Sequence, residues 1–180
     1  MDKIDIYFEM GHFFTENEDY EMAINALNKA IKLDPNFAGA YSNRGLCYYN
    51  QEMFEKAILD ISKAIELEPD EAGYYSNRGL AYSCQEKHEE ALADFDKAIS
   101  LGFDDSSIYN LRADEYASLG KFDKAEEDLN NGNMFNFIET ILNENEDEIP
   151  MDENPGNIDD KNDNSDEVID DQGKQDPKET

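Results

Sequence analysis

The sequence predicts an all-α fold, a solenoid of four helix–turn–helix repeats. The first observation is a 34-residue period that returns the same kind of residue to the same place in each unit. The second is apolar residues at helical spacing within each unit. The third is composition: 39% hydrophobic and 11% aromatic residues suffice for a core, although tryptophan is absent. At 180 residues, the chain suits one domain followed by a tail.

The repeat is visible in six columns, each of which advances by 34 residues from one unit to the next. The columns contain Tyr7, Tyr41, Tyr75 and Tyr109; Gly11, Gly45, Gly79 and Ala113; Phe14, Tyr48, Tyr82 and Tyr116; Ala23, Ala57, Ala91 and Ala125; Leu27, Ile61, Phe95 and Leu129; and Ala30, Ala64, Ala98 and Gly132. Chance does not align six columns in this way. The predicted repeats are therefore residues 4–37, 38–71, 72–105 and 106–139.

Each unit is predicted to contain two helices that pack closely. In the second unit, Tyr41, Gly45 and Tyr48 share one helical face, and Ala57 lies in the following helix. Gly45 near Ala57 would let the two helices approach each other. A proline, Pro35 or Pro69, follows the second helix of the first two units, and Gly102 ends that helix in the third.

These units resemble the tetratricopeptide-repeat (TPR) motif. The resemblance rests on segments 41–49 and 75–82 with their Tyr, Gly and Tyr positions, on the alanines that follow, and on Pro69. It covers about residues 4–139 in four units. The resemblance implies a right-handed superhelix whose first helices line a concave groove that binds extended peptides or partner helices.

The C-terminal part departs from the pattern. Asn131, Gly132 and Asn133 are turn-prone, so we expect a short capping helix at 134–142; one helix running through Gly132 is the alternative. The predicted TPR domain spans residues 4–143. Residues 144–180 carry 15 acidic residues and 3 lysines without a periodic apolar face, which predicts an acidic, disordered tail.

A pair of charged columns accompanies the repeat. Each arginine precedes an aspartate by 16 residues, and the first unit has Met10 and Ala26 at the same two places. Both charges are missing together, so the sequence predicts structural ion pairs between the two helices of a unit rather than an anion-binding surface. The predicted pairs are Arg44 with Asp60, Arg78 with Asp94, and Arg112 with Asp128.

The family resemblance implies a set of groove residues on the first helices. They are Phe8, His12, Ser42, Asn43, Leu46, Tyr49, Ser76, Asn77, Leu80, Asn110 and Leu111. Some TPR proteins bind acidic chaperone tails through a clamp of two Lys, two Asn and one Arg. Only one residue fits that clamp in either register, Asn43 in the first and Asn77 in the second, so we expect no binding of such carboxylates.

Other function classes lack support in the sequence. His88 shares its column with aromatic residues, while Cys47 and Cys84 are expected to be inert thiols on packed helices. Residues 160–171 lack the glycine and the final glutamate of a calcium loop. With no catalytic, cofactor or metal motif, the sequence predicts a protein that is not an enzyme.

Charge and localisation restrict the partners. A net charge of -29 disfavours nucleic acid and anionic membranes and suits a basic protein partner. We expect a cytoplasmic monomer or weak homo-oligomer, because the sequence shows no secretory signal and no membrane-spanning run. The predicted function is a protein–protein interaction module, an adaptor or co-chaperone-like scaffold. Two alternatives remain open: a chaperone for a basic or secreted client, and a self-assembling structural or regulatory subunit.

Overall fold

The computed structural model describes residues 1–103 and 105–133, which all belong to one compact unit, Met1–Asp147. Every regular element within those residues is an α-helix, which confirms the predicted fold class. The helices are α1 (Lys3–Glu16), α2 (Tyr20–Leu33), α3 (Ala38–Asn50), α4 (Phe54–Leu67), α5 (Ala72–Ser83), α6 (His88–Ser100) and α7 (Ser107–Ser118). Residues 122–133 are also helical, and we call this segment α8.

The helices form a chain of antiparallel hairpins that stack in sequence order. We call the first helix of each repeat the A helix (α1, α3, α5, α7) and the second the B helix (α2, α4, α6, α8). The hairpins α1–α2, α3–α4 and α5–α6 are closely packed, and each B helix also contacts the next A helix. Consecutive A helices contact one another as well. The result is a solenoid with the A helices side by side.

Glycine in the A helix permits close packing inside each hairpin. A Cβ atom on Gly45 would lie 2.6 Å from the Ile61 side chain and 3.2 Å from the Ala57 carbonyl oxygen. A Cβ atom on Gly79 would lie 2.7 Å from the Phe95 ring. These distances are too short for any other residue without a shift of the helices. The predicted role of Gly45 beside Ala57 is therefore confirmed.

The turn between the A and B helices has one left-handed residue in every repeat. Glu18, Glu52 and Glu86 have φ between 57° and 59°, and Gly120 has φ 69° at the same place in the fourth repeat. Only glycine adopts this conformation without a steric penalty. Gly102, predicted to end α6, has φ 84°, as expected for a residue that follows a helix C-terminus.

The turn predicted at 131–133 is wrong, because α8 continues through Gly132. Glycine is tolerated here since α8 packs closely on the start of α7. An added Cβ atom would lie 3.3 Å from Asn110 Oδ1 and 3.4 Å from Tyr109 Cβ. Packing therefore outweighs the poor helix propensity of glycine. The predicted capping helix at 134–142 and the predicted tail at 144–180 lie outside the described residues.

Candidate functional site

The predicted groove residues all lie on the four A helices, which form one continuous surface. We call this surface the inner wall. His12 and Asn110 are exposed there. Seven further residues are partly buried: Phe8, Asn43, Leu46, Tyr49, Asn77, Leu80 and Leu111. The inner wall thus combines apolar and amide side chains.

Two predicted groove residues do not belong to this surface. Ser42 is only 4% exposed and Ser76 only 6% exposed. Both are small side chains that the surrounding structure covers. Their inclusion in the groove is therefore corrected, because a buried hydroxyl offers a bound peptide almost no contact area.

A small pocket lies between the first two A helices. It has a volume of about 130 Å³ and is formed by His12, Thr15, Glu16, Asn43 and Leu46. Three of these five residues belong to the predicted groove set. Leu46 is the apolar member of the lining, and Thr15 Oγ1 lies 3.2 Å from the sulfur of buried Cys47. Its size suits one side chain of a bound segment.

Two asparagines of the inner wall are available for recognition. Asn43 and Asn77 occupy the same column on α3 and α5, and both are partly exposed. Neither side chain forms a hydrogen bond with any of residues 1–103 and 105–133. An asparagine amide offers both donors and an acceptor, which matches the N–H and C=O groups of an extended peptide backbone.

The aromatic residues of the inner wall are held in place by neighbouring side chains. Phe8 packs on Phe37 with ring centroids 4.7 Å apart. Tyr49 packs edge-on against Phe54, and its hydroxyl lies 3.6 Å from Cys84 Sγ. Burial and the neighbouring Cys84 raise the pKa of Tyr49 to about 12. Tyr49 therefore remains a neutral phenol that can donate a hydrogen bond at physiological pH.

The structure brings together each predicted arginine–aspartate pair. Arg78 Nε lies 2.7 Å from Asp94 Oδ2, and Arg78 Nη2 lies 2.8 Å from Asp94 Oδ1. The pairs in the second and fourth repeats have the same two-pronged geometry, at 2.6–2.7 Å. The aspartates are buried: Asp60, Asp94 and Asp128 are at most 9% exposed. Such paired geometry is the strongest arrangement for these two groups.

Each arginine also reaches the preceding repeat, which sequence reasoning did not predict. Its Nη1 donates to Asn28, Ser62 or Asp96 on the preceding B helix, at 2.5, 3.0 and 2.6 Å. These acceptors form a column of their own, 16 residues before each arginine. We call the arginine with its two acceptors a junction staple, because it joins both helices of one repeat to the repeat before. Hydrogen bonds to the aspartates raise the pKa of the three arginines.

A buried glutamate on α7 was also missed. Glu115 is 3% exposed and accepts hydrogen bonds from Ser83 and His88; His88 Nδ1 lies 2.7 Å from its Oε2. The sequence signal that could have revealed it is its column: Glu115 stands where the other repeats have Phe13, Cys47 and Ala81. Ser83 and His88 both bind the carboxylate, so the trio lacks the serine–histidine bond of a catalytic triad. His88 therefore binds the buried Glu115 carboxylate, in addition to filling a column that holds aromatic residues in the other repeats.

The two cysteines differ in exposure. Cys47 is fully buried, and burial raises the pKa of its thiol. Cys84 is exposed at the end of α5, which corrects the prediction that it lies among packed residues. Within residues 1–103 and 105–133, no three acidic, histidine or cysteine side chains are grouped to hold a metal ion. None of the helices in this part of the chain is both long and apolar enough to cross a membrane.

Comparison with sequence families gives a consistent result across the repeats. A model described as TPR repeat matches residues 11–52. Models described as tetratricopeptide repeat match residues 38–71, 72–102 and 106–132. No curated protein matches the chain at the level of overall sequence.

Solved structures share the fold. A crystal structure of MamA superposes with a TM-score of 0.73 at 23% identity, covering 76% of this chain and 80% of that one. The first TPR domain of Spaghetti (RPAP3), bound to the HSP90 peptide SRMEEVD, has a TM-score of 0.64 at 25% identity, covering 66% and 94%. The Arabidopsis OM64 TPR domain has a TM-score of 0.60 at 25% identity, covering 62% and 93%.

Proposed function

The chain belongs to the tetratricopeptide-repeat family of protein-interaction modules, and we propose that its inner wall binds an extended segment of another protein. The observation that carries this proposal is the pair of unbonded amides on Asn43 and Asn77, in one column beside partly exposed Leu46 and Leu80. Backbone-directed amides between apolar side chains are suited to a peptide that lies along the A helices.

The inner wall is suited to a segment whose binding does not depend on a carboxylate group. The RPAP3 domain in the comparison binds an acidic HSP90 peptide. Here the five clamp positions hold Phe8, His12, Asn43, Gly73 and Asn77 in the first register, or Ser42, Leu46, Asn77, Ser107 and Leu111 in the second. Neither set contains a lysine or arginine to offset the desolvation of a carboxylate. We therefore expect no measurable binding of the peptide SRMEEVD in a fluorescence titration.

The proposal can be tested by affinity capture with matched variants. The groove variant is Tyr49→Ala with Asn77→Ala. Leu59→Ala serves as the control. Leu59 is 71% exposed on α4, so this substitution removes apolar surface that lies away from the inner wall. Capture from a lysate of the source organism should lose the main partner with the groove variant and keep it with the control. Equal capture by both variants would contradict a groove-bound partner.

A second candidate function is a chaperone for a basic client. The supporting observation is the net charge of -29, to which residues 144–180 contribute 15 acidic residues. A client held by this charge would dissociate as salt is raised, whereas apolar anchors in a groove are much less sensitive. Capture repeated at about 0.5 M salt therefore separates the two functions.

A further inference from the structure

The side of α1 that corresponds to the junction with a preceding repeat exposes an apolar stripe. Ile6, Met10 and Phe13 are 44%, 38% and 59% exposed, and they are spaced by four and three residues along one side of the helix. We call these three residues the N-terminal face. It lies on a different side of α1 from the inner-wall residues Phe8 and His12. No helix among the described residues covers it.

The later repeats show what such a face binds. The equivalents of Phe13 are Cys47, Ala81 and Glu115, and all three are buried. The equivalents of Met10 are the three arginines of the junction staples. The preceding repeat supplies the cover: its B helix packs on the A helix, and its A helix adds contacts such as Thr15 to Cys47 and Ser83 to Glu115. The position at α1 is therefore shaped for a helix that would stand where a preceding B helix stands.

The B helices also show which side chains such a helix needs. Ile24 and Ile31 of α2 pack in one cluster with Ala40 and Cys47 of α3. The two isoleucines are seven positions, or two helical turns, apart. Asn28 lies between them, opposite Arg44.

The same arrangement recurs at the next junction. Ile58 and Ile65 of α4 share a cluster with Tyr74 and Ala81 of α5. A helix with two apolar residues seven positions apart would thus meet Ile6 and Phe13.

The charge of α1 indicates what kind of helix would bind there. The exposed acids Asp5, Glu9 and Glu16 lie on one flank of α1, which has one lysine, Lys3, and no arginine; Glu16 is also paired with His12 of the inner wall, at 3.7 Å. A second copy of this chain would bring a net charge of -29, and its own residues 144–180 are acidic as well. Both would be repelled, whereas lysine or arginine beside an apolar stripe would pair with these acids.

We propose that the N-terminal face is a second binding site, which takes an amphipathic helix with basic flanks from a partner protein. The helix packs its apolar residues on Ile6, Met10 and Phe13, and its basic residues lie against Glu9. Met10 in place of arginine fits this role, because an arginine here would lack its aspartate, which is Ala26 in this repeat, and would have no acceptor in a preceding repeat among the described residues. The site adds a helix to the end of the solenoid and leaves the inner wall free.

The test uses designed helical peptides and the full chain. The first peptide is an 18-residue fluorescent helix with isoleucine at successive four- and three-residue steps and lysine beside the stripe. The second has the same composition with the isoleucines spread around the helix. We expect the striped peptide to bind at least about tenfold more tightly in a fluorescence anisotropy titration. Equal affinity for the two peptides would overturn the proposal, since charge alone would then account for binding.

Variants assign the binding to this face. Ile6→Ser with Phe13→Ser should reduce the affinity for the striped peptide about tenfold, and Glu9→Lys should weaken it most at low salt. The groove variant Tyr49→Ala with Asn77→Ala should bind the peptide like the unmodified chain. Loss with the groove variant alone would overturn the proposal.

Met10→Lys, which places a cation in the stripe, provides a second variant should the double serine change disturb folding. It should likewise weaken the striped peptide about tenfold. Sedimentation velocity checks the remaining occupant. A dimer of the full chain that Phe13→Ser dissolves would show that a second copy covers the face and would overturn the proposal.

Discussion

The first repeat and the three that follow share one hairpin but differ on the side that faces the N-terminus. Gly11, Gly45 and Gly79 each approach a large side chain of the partner helix in the same way. In contrast, Met10 is partly exposed where Arg44 and Arg78 form junction staples. Packing of the glycine within the hairpin is therefore alike in the first three repeats, whereas the charged residues depend on a preceding neighbour.

This difference explains why both charges are missing from the first repeat. An arginine in a staple donates to an aspartate of its own repeat and to an acceptor on the preceding B helix. At position 10 there is no preceding repeat among the described residues. A buried aspartate without its arginine would be costly, so both positions change together. In a repeat protein, a charged column that is missing from the first repeat therefore identifies residues that contact the preceding repeat, as well as residues that pair within one repeat.

The largest effect we expect is a difference in thiol reactivity between the first junction and the exposed end of α5. Cys47 is buried where the first repeat covers the second, and burial raises the pKa of its thiol. Cys84 is exposed. Labelling with a maleimide should modify Cys84 about a thousandfold faster than Cys47, because Cys47 reacts only when the junction opens. Similar rates, read by mass spectrometry, would show that the first repeat does not cover the second.

The next effect is on the free energy of unfolding when a staple is broken. Arg78→Ala and Asp94→Ala should each destabilise by about 2–4 kcal/mol, since either change leaves a buried polar group unpaired. The double variant should lose less than the sum of the two. Met10→Ala provides the control in the first repeat and should cost less than about 1 kcal/mol at this exposed position. Urea denaturation measures all four, and additive losses for Arg78 and Asp94 would contradict the pairing.

A substitution within the hairpin should act alike in first and later repeats. Gly11→Ala and Gly79→Ala each place a Cβ atom within 2.7 Å of a core side chain, Leu27 or Phe95. We expect a loss of about 1–3 kcal/mol at both positions, despite the better helix propensity of alanine. Thermal melting of Gly73→Ala, where the nearest atom is the flexible Glu71 carboxylate at 3.3 Å, gives the control. A large loss at only one of the two core glycines would show that the hairpins are not equivalent.

The smallest effect concerns the turns. Glu52→Gly should stabilise by about 0.5–1 kcal/mol, because φ is 58° there and glycine adopts this conformation without strain. Gly120→Ala should destabilise by a similar amount at φ 69°. Differential scanning calorimetry on both variants would show opposite shifts in Tm. Shifts of the same sign would mean that the turns differ between repeats.

The sequence predicted the features that repeat, because four copies of a pattern make its structural purpose visible. The helix pairs, the glycine contacts and the arginine–aspartate partners could all be identified from columns. Asn28, Ser62 and Asp96 could not, since asparagine, serine and aspartate differ in size and charge although all three accept a hydrogen bond. Their shared chemistry becomes visible only with the geometry.

Features found in one repeat alone were predicted less well. Gly132 suggested a turn, but contact with α7 favours a helix through that residue. Glu115 replaces small or apolar residues of its column, and its partners Ser83 and His88 come from other helices. Tertiary contacts decide these positions, and local propensity does not report them. For the groove, the family pattern placed the helices correctly but did not distinguish buried Ser42 from partly exposed Asn43.

The most direct test of the account is the binding of a captured partner to three forms of the protein. Surface plasmon resonance would compare the unmodified chain, the groove variant Tyr49→Ala with Asn77→Ala, and a chain that ends at residue 143. We expect the groove variant to lose affinity by more than about tenfold, because apolar anchors dominate binding. The shortened chain should keep its affinity and associate more slowly only at low salt. Loss of binding on removal of residues 144–180, with full binding by the groove variant, would contradict the account and favour the chaperone for a basic client.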